Sequence, residues 1–431
     1  MKYVIIIADG AADHPLEELG GRTPLEVAQK PHTDQISLTG RQGTVATTPP
    51  GMACGSDVCV MSLLGYDPRK YHRGRAPLEA AALGIDLAPS DWVFRVNLVT
   101  VLDGQMQDHS AGHIRTDEGR RLLEDFAKRM DIPGMSLYPG VSYRNIMVDT
   151  SGRQGGGRDW SELHTTPPHD IPGEPIRSHL PVGGPHADLL QRMIAESQAV
   201  FAEHEINITR RDLGELPATH IWPWGQGRRP DMPSFESRYH IKGAMITAVD
   251  LLAGISAFIG FDRLEVPGQT SYHDTDYAAA GRAAIEALEK YDLVVVHIEA
   301  PDEAAHAADA ATKVAAIEAI DKYVVGPLLD AVPRYADAGA SEGVSGGASG
   351  GAPESGSRGN SGGGWRVLYL PDHYTCVGNR KHDPTPPPFA LCGTKVHGVV
   401  ARAFSEKNAA DSDLHVKFGH ELMEFFLASG L

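Results

Sequence analysis

The chain has 431 residues, 42% hydrophobic and 22% charged, with 39 Lys and Arg against 56 Asp and Glu, a formal net charge of −17. That size means one large or two medium globular domains, not a small stapled peptide, and an acidic balance without a Lys/Arg-rich tract makes nucleic acid and anionic membrane poor partners. The four cysteines (Cys54, Cys59, Cys376, Cys392) show no CxxC spacing, no leader-like segment opens the chain, and no apolar run approaches the roughly 20 residues that span a bilayer, so a soluble protein of the reducing cytoplasm is expected.

Val4-Ile5-Ile6-Ile7 is a continuous β-branched run stopping at Asp9-Gly10, the pattern of an inner strand of a parallel sheet. A short strand at 43–47 runs into Pro49-Pro50-Gly51, and after Gly55-Ser56-Asp57 the segment 58–64 reads as a helix with Ser56 at its N-terminus. From Trp92 to about Ser234 the character changes: a strand-turn unit over 94–106, a helix over 116–130 with a Thr cap, a strand pair about Pro139-Gly140 and a helix over 187–204. Strands and helices then alternate again: strand 244–246, helix 249–257, strand 263–266, helix 278–290, strand 292–297 and an Ala-rich helix over 308–329. Residues 336–364 are dominated by Gly, Ser and Ala and read as a disordered insert; Trp365 to Leu370 resumes as a core strand, and an apolar helix at 422–427 closes the chain. The fold class is therefore α/β, a doubly wound sheet built from 1–90 and 235–431, with a smaller α+β domain, 91–234, inserted into it.

Three positions follow core strands directly: Asp9, then Asp302 with His306, then Asp372-His373. The carboxyl ends of strands are where open α/β sheets bind ligands. Asp302 and His306, at i and i+4, face one way on a helical turn, and His382 offers another imidazole on the next loop. The three carboxylates would repel one another in an empty cleft but nearly balance two divalent cations, with an ionised Ser56 completing the balance. Mixed carboxylate and imidazole ligation suits Mn, Zn, Co or, less well, Mg. Ser56 is the candidate nucleophile, because metal coordination and a helix N-terminus both stabilise an alkoxide, and two metals with a serine suit in-line phosphoryl transfer. Singly, a strand-end Asp is a turn residue, Ser56 a helix cap and Asp302 with His306 a solvated pair; together on successive strand ends they make a site.

Ile7-Ala8-Asp9-Gly10, Gly55-Ser56-Asp57, Pro301-Asp302-Glu303-Ala304-Ala305-His306, Pro371-Asp372-His373 and His382-Asp383-Pro384 resemble the metal and nucleophile motifs of the alkaline phosphatase superfamily. Within it, the archaeal-type 2,3-bisphosphoglycerate-independent phosphoglycerate mutases are the most similar, also over 73–80, 221–227 and 266–270. The resemblance implies an alkaline-phosphatase-like sheet, one metal on Asp9, Ser56, Asp372 and His373, another on Asp302, His306 and His382, and Ser56 as the phosphoserine. It also implies two divalent ions, Mn or Mg ahead of Zn or Co, no 2,3-bisphosphoglycerate, and a small phosphorylated acid as substrate, with no oligomeric state specified. Two departures stand out: Ala305 replaces the family's common Gly, and the loop from Tyr374 to Lys381 is not its usual sequence.

A mutase must keep water from its phosphoserine, and the inserted domain is expected to close over the substrate and carry cations for its carboxylate and phosphate. Arg75, His113, Arg144 and His169-Asp170 are the candidates. Gly155-Gly156-Gly157 and Gly183-Gly184 lack a nucleotide loop's context and read as turns, and Trp222 with Trp224 reads as packing. The alternatives are another metal-dependent phosphotransferase or phosphohydrolase of the superfamily, such as a homoserine kinase-like enzyme, and a non-catalytic relative, which the complete ligand set argues against.

Overall fold

A computed structural model of the chain describes residues 1–336, 363–399 and 401–428. Residues 337–362 of the expected insert lie outside the described residues. The chain divides into two compact units, Met1–His72 with Met232–Leu431, and Arg73–Asp231. Sequence places the borders at 90 and 234; the contacts give 73–90 to the second unit, where helix Arg75–Ala82 is held by the Glu79–Arg95 ion pair to strand Trp92–Leu102.

The first unit carries an eight-stranded sheet in the order His415–Val416, Arg41–Val45, Pro388–Gly393, Trp365–Leu370, Lys2–Ala8, Leu293–Ile298, Gly243–Ile246, Asp262–Arg263. Its five strands from Trp365–Leu370 to Asp262–Arg263 run parallel, and the two innermost are buried almost end to end, as β-branched runs covered on both faces must be. Val4, Ile6, Val294, Val296, Val367 and Tyr369 form the centre of the core, against Ala280, Ala284 and Leu288 of helix Tyr277–Lys290. Strand 263–266 is shorter than expected, only Asp262–Arg263.

The helix expected at 308–329 is three pieces: an α-helix Ala310–Ile320, a π turn Asp321–Val325 and an α-helix Gly326–Ala331. Pro327 cannot donate to the preceding turn, so the ladder widens there. The buried Asp321 carboxylate in that turn accepts from the backbone N–H groups of His32 and Thr33.

The second unit is built on an antiparallel sheet in which Trp92–Leu102 pairs with Gln105–Asp108, Arg144–Asp149 and His220–Arg228, and Met135–Tyr138 with Arg144–Asp149. Helices Thr116–Arg129 and Ala187–Ala202 supply Leu122, Phe126, Leu190 and Phe201 to a core with Phe94, Leu98 and Trp160. Thr116 does not cap its helix as expected; Arg115 stands at the cap, and the Thr116 hydroxyl accepts from Ser142 N–H. Trp222 and Trp224 are buried, the Trp224 indole donating to Asn97 Oδ1 at 2.9 Å. Gly155, Gly156, Gly183 and Gly184 all have positive φ, the backbone of tight turns.

Candidate functional site

Strand register sets the site. Ile7 pairs with both His297 and Leu370, and Ala8 with Ile298. Three parallel strands therefore end level, and the segments carrying Asp9, Asp302 and Asp372 leave the sheet at one edge. Pro301 starts the short helix Ala300–His306, which sets Asp302 and His306 one turn apart. Ser56 is the first residue of helix Ser56–Leu63, after an extended Gly55. A tight hairpin, Tyr374–Cys376 with Lys381–Asp383, brings His382 back alongside Thr375.

All seven expected residues meet here. His306 Nε2 lies 3.2 Å from Asp302 Oδ2, His382 Nε2 3.3 Å from Asp302 Oδ1, and the two Nε2 atoms 2.9 Å from each other. His373 Nε2 lies 3.3 Å from Ser56 Oγ, 3.2 Å from Asp372 Oδ2 and 3.6 Å from Asp9 Oδ1, and its ring stacks on that of His382 at 4.1 Å. Ligand atoms of Asp9, Asp372 and His373 lie within 4.8 Å of one another, as do those of Asp302, His373 and His382.

The hydrogen bonds fix the tautomers. His306 Nδ1 faces the Arg380 carbonyl at 3.0 Å and His382 Nδ1 the Cys54 carbonyl at 3.1 Å. A carbonyl only accepts, so both Nδ1 atoms carry a proton, and both Nε2 atoms are turned to the Asp302 carboxylate, where each shares a proton with it or gives its lone pair to a cation. Thr375 Oγ1 donates to Asp302 Oδ1 at 2.5 Å and so accepts from His373 Nδ1 at 3.1 Å; burial keeps this imidazole neutral, which leaves its Nε2 bare. Three ring nitrogens converging beside carboxylates need protons or a metal cation between them. Asp9 Oδ1 and Asp372 Oδ2 are buried without any hydrogen-bond donor, which is the second sign that this donor set fits metal ions.

Charge crowding shows in the acidities. Burial, and then the charge of Asp9, pushes the Asp372 carboxyl up to about 7. Burial acts on Asp302 the same way, but the imidazoles of His306 and His382 outweigh it and hold the carboxyl far below its usual range. Burial would lower His382, yet its bond to Asp302 carries it up to about 9.

Four residues of this unit escaped the sequence reading. His297 Nε2 donates to Asp9 Oδ2 at 2.7 Å and its Nδ1 lies 3.1 Å from Thr247 Oγ1, orienting the Asp9 carboxylate. Glu299, raised by burial and by Asp9, lies 3.5 Å from the same Nε2. Thr375 bridges Asp302 and His373, and the buried Lys313 ammonium binds Asp13 Oδ2 at 2.8 Å and the carbonyls of Ala12 and Thr375 at 3.1 and 2.6 Å. A lone histidine inside the apolar run Val294–Ile298 was the one available signal.

In the second unit, Arg75, Arg144 and His169 come together around a pair the sequence reading did not name. Arg95 binds Glu79 through two bonds of 3.0 and 2.9 Å, and its guanidinium lies 4.2 Å from the Trp224 ring centre. Burial raises the Glu79 carboxyl against the pull of Arg95, Arg144 and Arg75. Burial lowers His169, whose ring lies 5.2 Å from Trp224 and 6.1 Å from His109; Arg95, His109 and Arg75 add to that lowering, against Asp170. His113 sits at the edge, its ring 6.2 Å from Tyr143, and Asp170 is an exposed carboxylate 3.7 Å from His169. Three arginines, two imidazoles and one partly buried carboxylate make a local excess of positive charge.

The family model for 2,3-bisphosphoglycerate-independent phosphoglycerate mutase matches residues 38–207. A protein of Methanothrix thermoacetophila bearing that name is 45% identical over 99% of this chain and 100% of its own. The protein of Methanothermobacter thermautotrophicus named 2,3-bisphosphoglycerate-independent phosphoglycerate mutase 2 is 43% identical over 99% of this chain and 97% of its own. A solved structure from Pyrococcus horikoshii superposes with a TM-score of 0.79 at 25% identity, covering 99% of this chain and 96% of that one. The cofactor-independent phosphoglycerate mutase of Thermoplasma acidophilum shares the fold, with a TM-score of 0.67 at 24% identity and 99% of each chain covered.

Proposed function

The chain belongs to the 2,3-bisphosphoglycerate-independent phosphoglycerate mutase family, and from that premise we propose which residues carry out its reaction. The reaction is the interconversion of 3-phosphoglycerate and 2-phosphoglycerate, an isomerisation of glycolysis and gluconeogenesis that needs no 2,3-bisphosphoglycerate. The observation that carries the assignment is Ser56 Oγ at 3.3 Å from the bare Nε2 of His373, beside two buried carboxylate oxygens without donors.

Asp9, Ser56, Asp372 and His373 would hold one divalent ion and Asp302, His306 and His382 the other; the mixed donors suit Mn, and it is the family resemblance that sets Mg ahead of Zn or Co. When bound, these ions supply the positive charge that stabilises the Ser56 alkoxide and the oxygens of the transferring phosphoryl group. Ser56 gives up its hydroxyl proton and its Oγ attacks phosphorus in line; the bond from phosphorus to the C3 oxygen breaks, and that oxygen takes up a proton. The glycerate turns, its C2 hydroxyl gives up its proton and attacks the phosphoserine, the bond from phosphorus to Ser56 Oγ breaks, and Ser56 takes its proton back. His297 holds the Asp9 carboxylate in one orientation throughout.

The substrate carries a carboxylate as well as the phosphate, and Arg75, Arg95, Arg144 and His169 of the second unit are the groups suited to it. The second unit, expected at 91–234, has the task of recognition and of keeping water from the phosphoserine. The free cysteines and the glycolytic reaction support a cytoplasmic location, and among the described residues no helix is long and apolar enough to cross a membrane.

The test is conversion of 3-phosphoglycerate with Mn²⁺ or Mg²⁺, with and without EDTA, alongside Ser56→Ala. Conversion that needs the ion and vanishes in the variant is expected. Turnover surviving in Ser56→Ala would remove the phosphoserine step, and ion-loaded protein that releases free phosphate instead would move it to a phosphohydrolase.

A further inference from the structure

The hairpin that delivers His382 has two faces. Its register pairs Tyr374 with Asp383, Thr375 with His382 and Cys376 with Lys381. Side chains alternate along a strand, so if Thr375 and His382 point at Asp302, then Cys376 and Asp383 point the other way. On that far side they meet His14, which follows the first strand. His14 Nε2 lies 3.3 Å from Asp383 Oδ2, and His14, Cys376 and Asp383 each offer a ligand atom within 4.8 Å of the others.

We infer that His14, Cys376 and Asp383 form a third cation site, separate from the catalytic pair, for a zinc-class ion held by one imidazole, one thiolate and one carboxylate. Three protein ligands of these types leave a fourth position for solvent, as a tetrahedral ion allows. Ligand atoms around such an ion stand about 3.5 Å apart, so the present spacing needs only small side-chain rotations. The parts are already partly held. Asp383 Oδ1 accepts from the N–H and hydroxyl of Thr385 at 2.8 and 2.5 Å, which leaves Oδ2 to face His14. The His14 ring lies against Tyr374 at 5.2 Å, and its backbone N–H donates to Asp13 Oδ1.

The chemistry balances in charge. Burial pushes the Cys376 thiol up to about 11, so by itself it keeps its proton; on binding, the S–H bond breaks, the proton leaves to solvent and sulfur donates to the ion. One thiolate and one carboxylate then neutralise a divalent cation in a site that His14, itself half-exposed, opens to solvent. An ion here clips the hairpin to the loop after the first strand and steadies His382 from behind.

The experiment loads the full chain with Co²⁺ and records the near-ultraviolet thiolate-to-cobalt charge-transfer band, with bound cobalt counted by equilibrium dialysis. No ligand assigned to the catalytic centre is a cysteine, so the band reports this site alone and is indifferent to whether the mutase assignment holds. The band is expected in the native protein and in Cys54→Ser, whose thiol instead lies 3.6 Å from the Asp383 carbonyl. It is expected to vanish in Cys376→Ser and in His14→Gln, each binding one ion fewer. His14 is exposed enough for its variant to fold, so that variant decides should Cys376→Ser be insoluble. No band in the native protein, a band lost in Cys54→Ser, or a band undiminished in His14→Gln overturns the assignment.

Discussion

In the first unit three aspartates crowd together at the ends of buried strands, whereas in the second three arginines share one partly buried glutamate. The acidic cluster is placed by main-chain geometry: level strand ends, one helical turn and a two-stranded hairpin leave its side chains little choice. The basic cluster is assembled from side chains reaching out of a helix, two antiparallel strands and a loop, with the Glu79–Arg95 pair at its centre. The first arrangement favours cations and the second an anion. The phosphoryl chemistry and the substrate recognition proposed above thus fall to different chain segments with opposite electrostatics, and under that proposal each can be broken without the other.

The largest effect should come from Lys313, which is fully buried and ties the loop after the first strand to the hairpin through Asp13 and the Ala12 and Thr375 carbonyls. Lys313→Met leaves Asp13 buried with its partner gone and should cost about 3–5 kcal/mol in urea unfolding. A loss within 1 kcal/mol of zero would mean Asp13 is satisfied by its neighbours and the acidic site does not depend on this brace.

The second unit has a different weakness. Burial pushes the His220 imidazole down to about 4 from its ordinary 6.5. The folded state therefore stays neutral where the unfolded chain already binds a proton. The stability held above pH 6.5 is lost progressively as pH falls toward 4, by about 3 kcal/mol in all. Unfolding free energies measured across that window should show a shallower slope in His220→Asn; an unchanged slope would assign the acid sensitivity to other groups.

The acidic site was far more legible in the sequence than the basic one, for the same geometric reason. Asp9, Asp302, Asp372 and His373 each stand just beyond an apolar run, so local pattern locates them. Lys313 lies 300 residues from Asp13, and Thr375 reaches Asp302 across 73 residues, distances no periodicity spans. His297 was hidden by the run it belongs to, and Arg95 by alternation within a strand where it reads as one more outward-facing charge. The border drawn at 90 missed the helix Arg75–Ala82 because Glu79 is tied to Arg95 by tertiary contact, not by any composition shift. Without Arg95 and Glu79, the residues Arg75, Arg144 and His169 were separate guesses instead of one cluster.

Thr375→Val removes the hydroxyl that donates to Asp302 and accepts from His373, while keeping the shape of the side chain. Partners of this kind are typically worth about 10–100-fold in metal affinity. Mn²⁺ titration should show a loss in that range with the Michaelis constant for 3-phosphoglycerate, at saturating Mn²⁺, little moved. Equal loss in both would mean that the acidic and basic clusters do not act separately.

Arg144 gives the smallest effect and the cleanest separation. Replacing Arg95 would leave Glu79 without its bidentate partner, so lost folding and lost binding would be mixed. Arg144 is exposed and acts on that pair only through its charge, so Arg144→Ala removes one cation without orphaning a buried group. A tenfold rise in the Michaelis constant, about 1.4 kcal/mol, is the size expected for one partly solvated charge facing a carboxylate, with Mn²⁺ affinity unchanged. Salt should imitate the variant. At high ionic strength the native enzyme loses the same exposed attraction by screening, so the gap between the two should narrow. A gap that holds constant with salt would mean that Arg144 contributes a desolvated hydrogen bond and not a field.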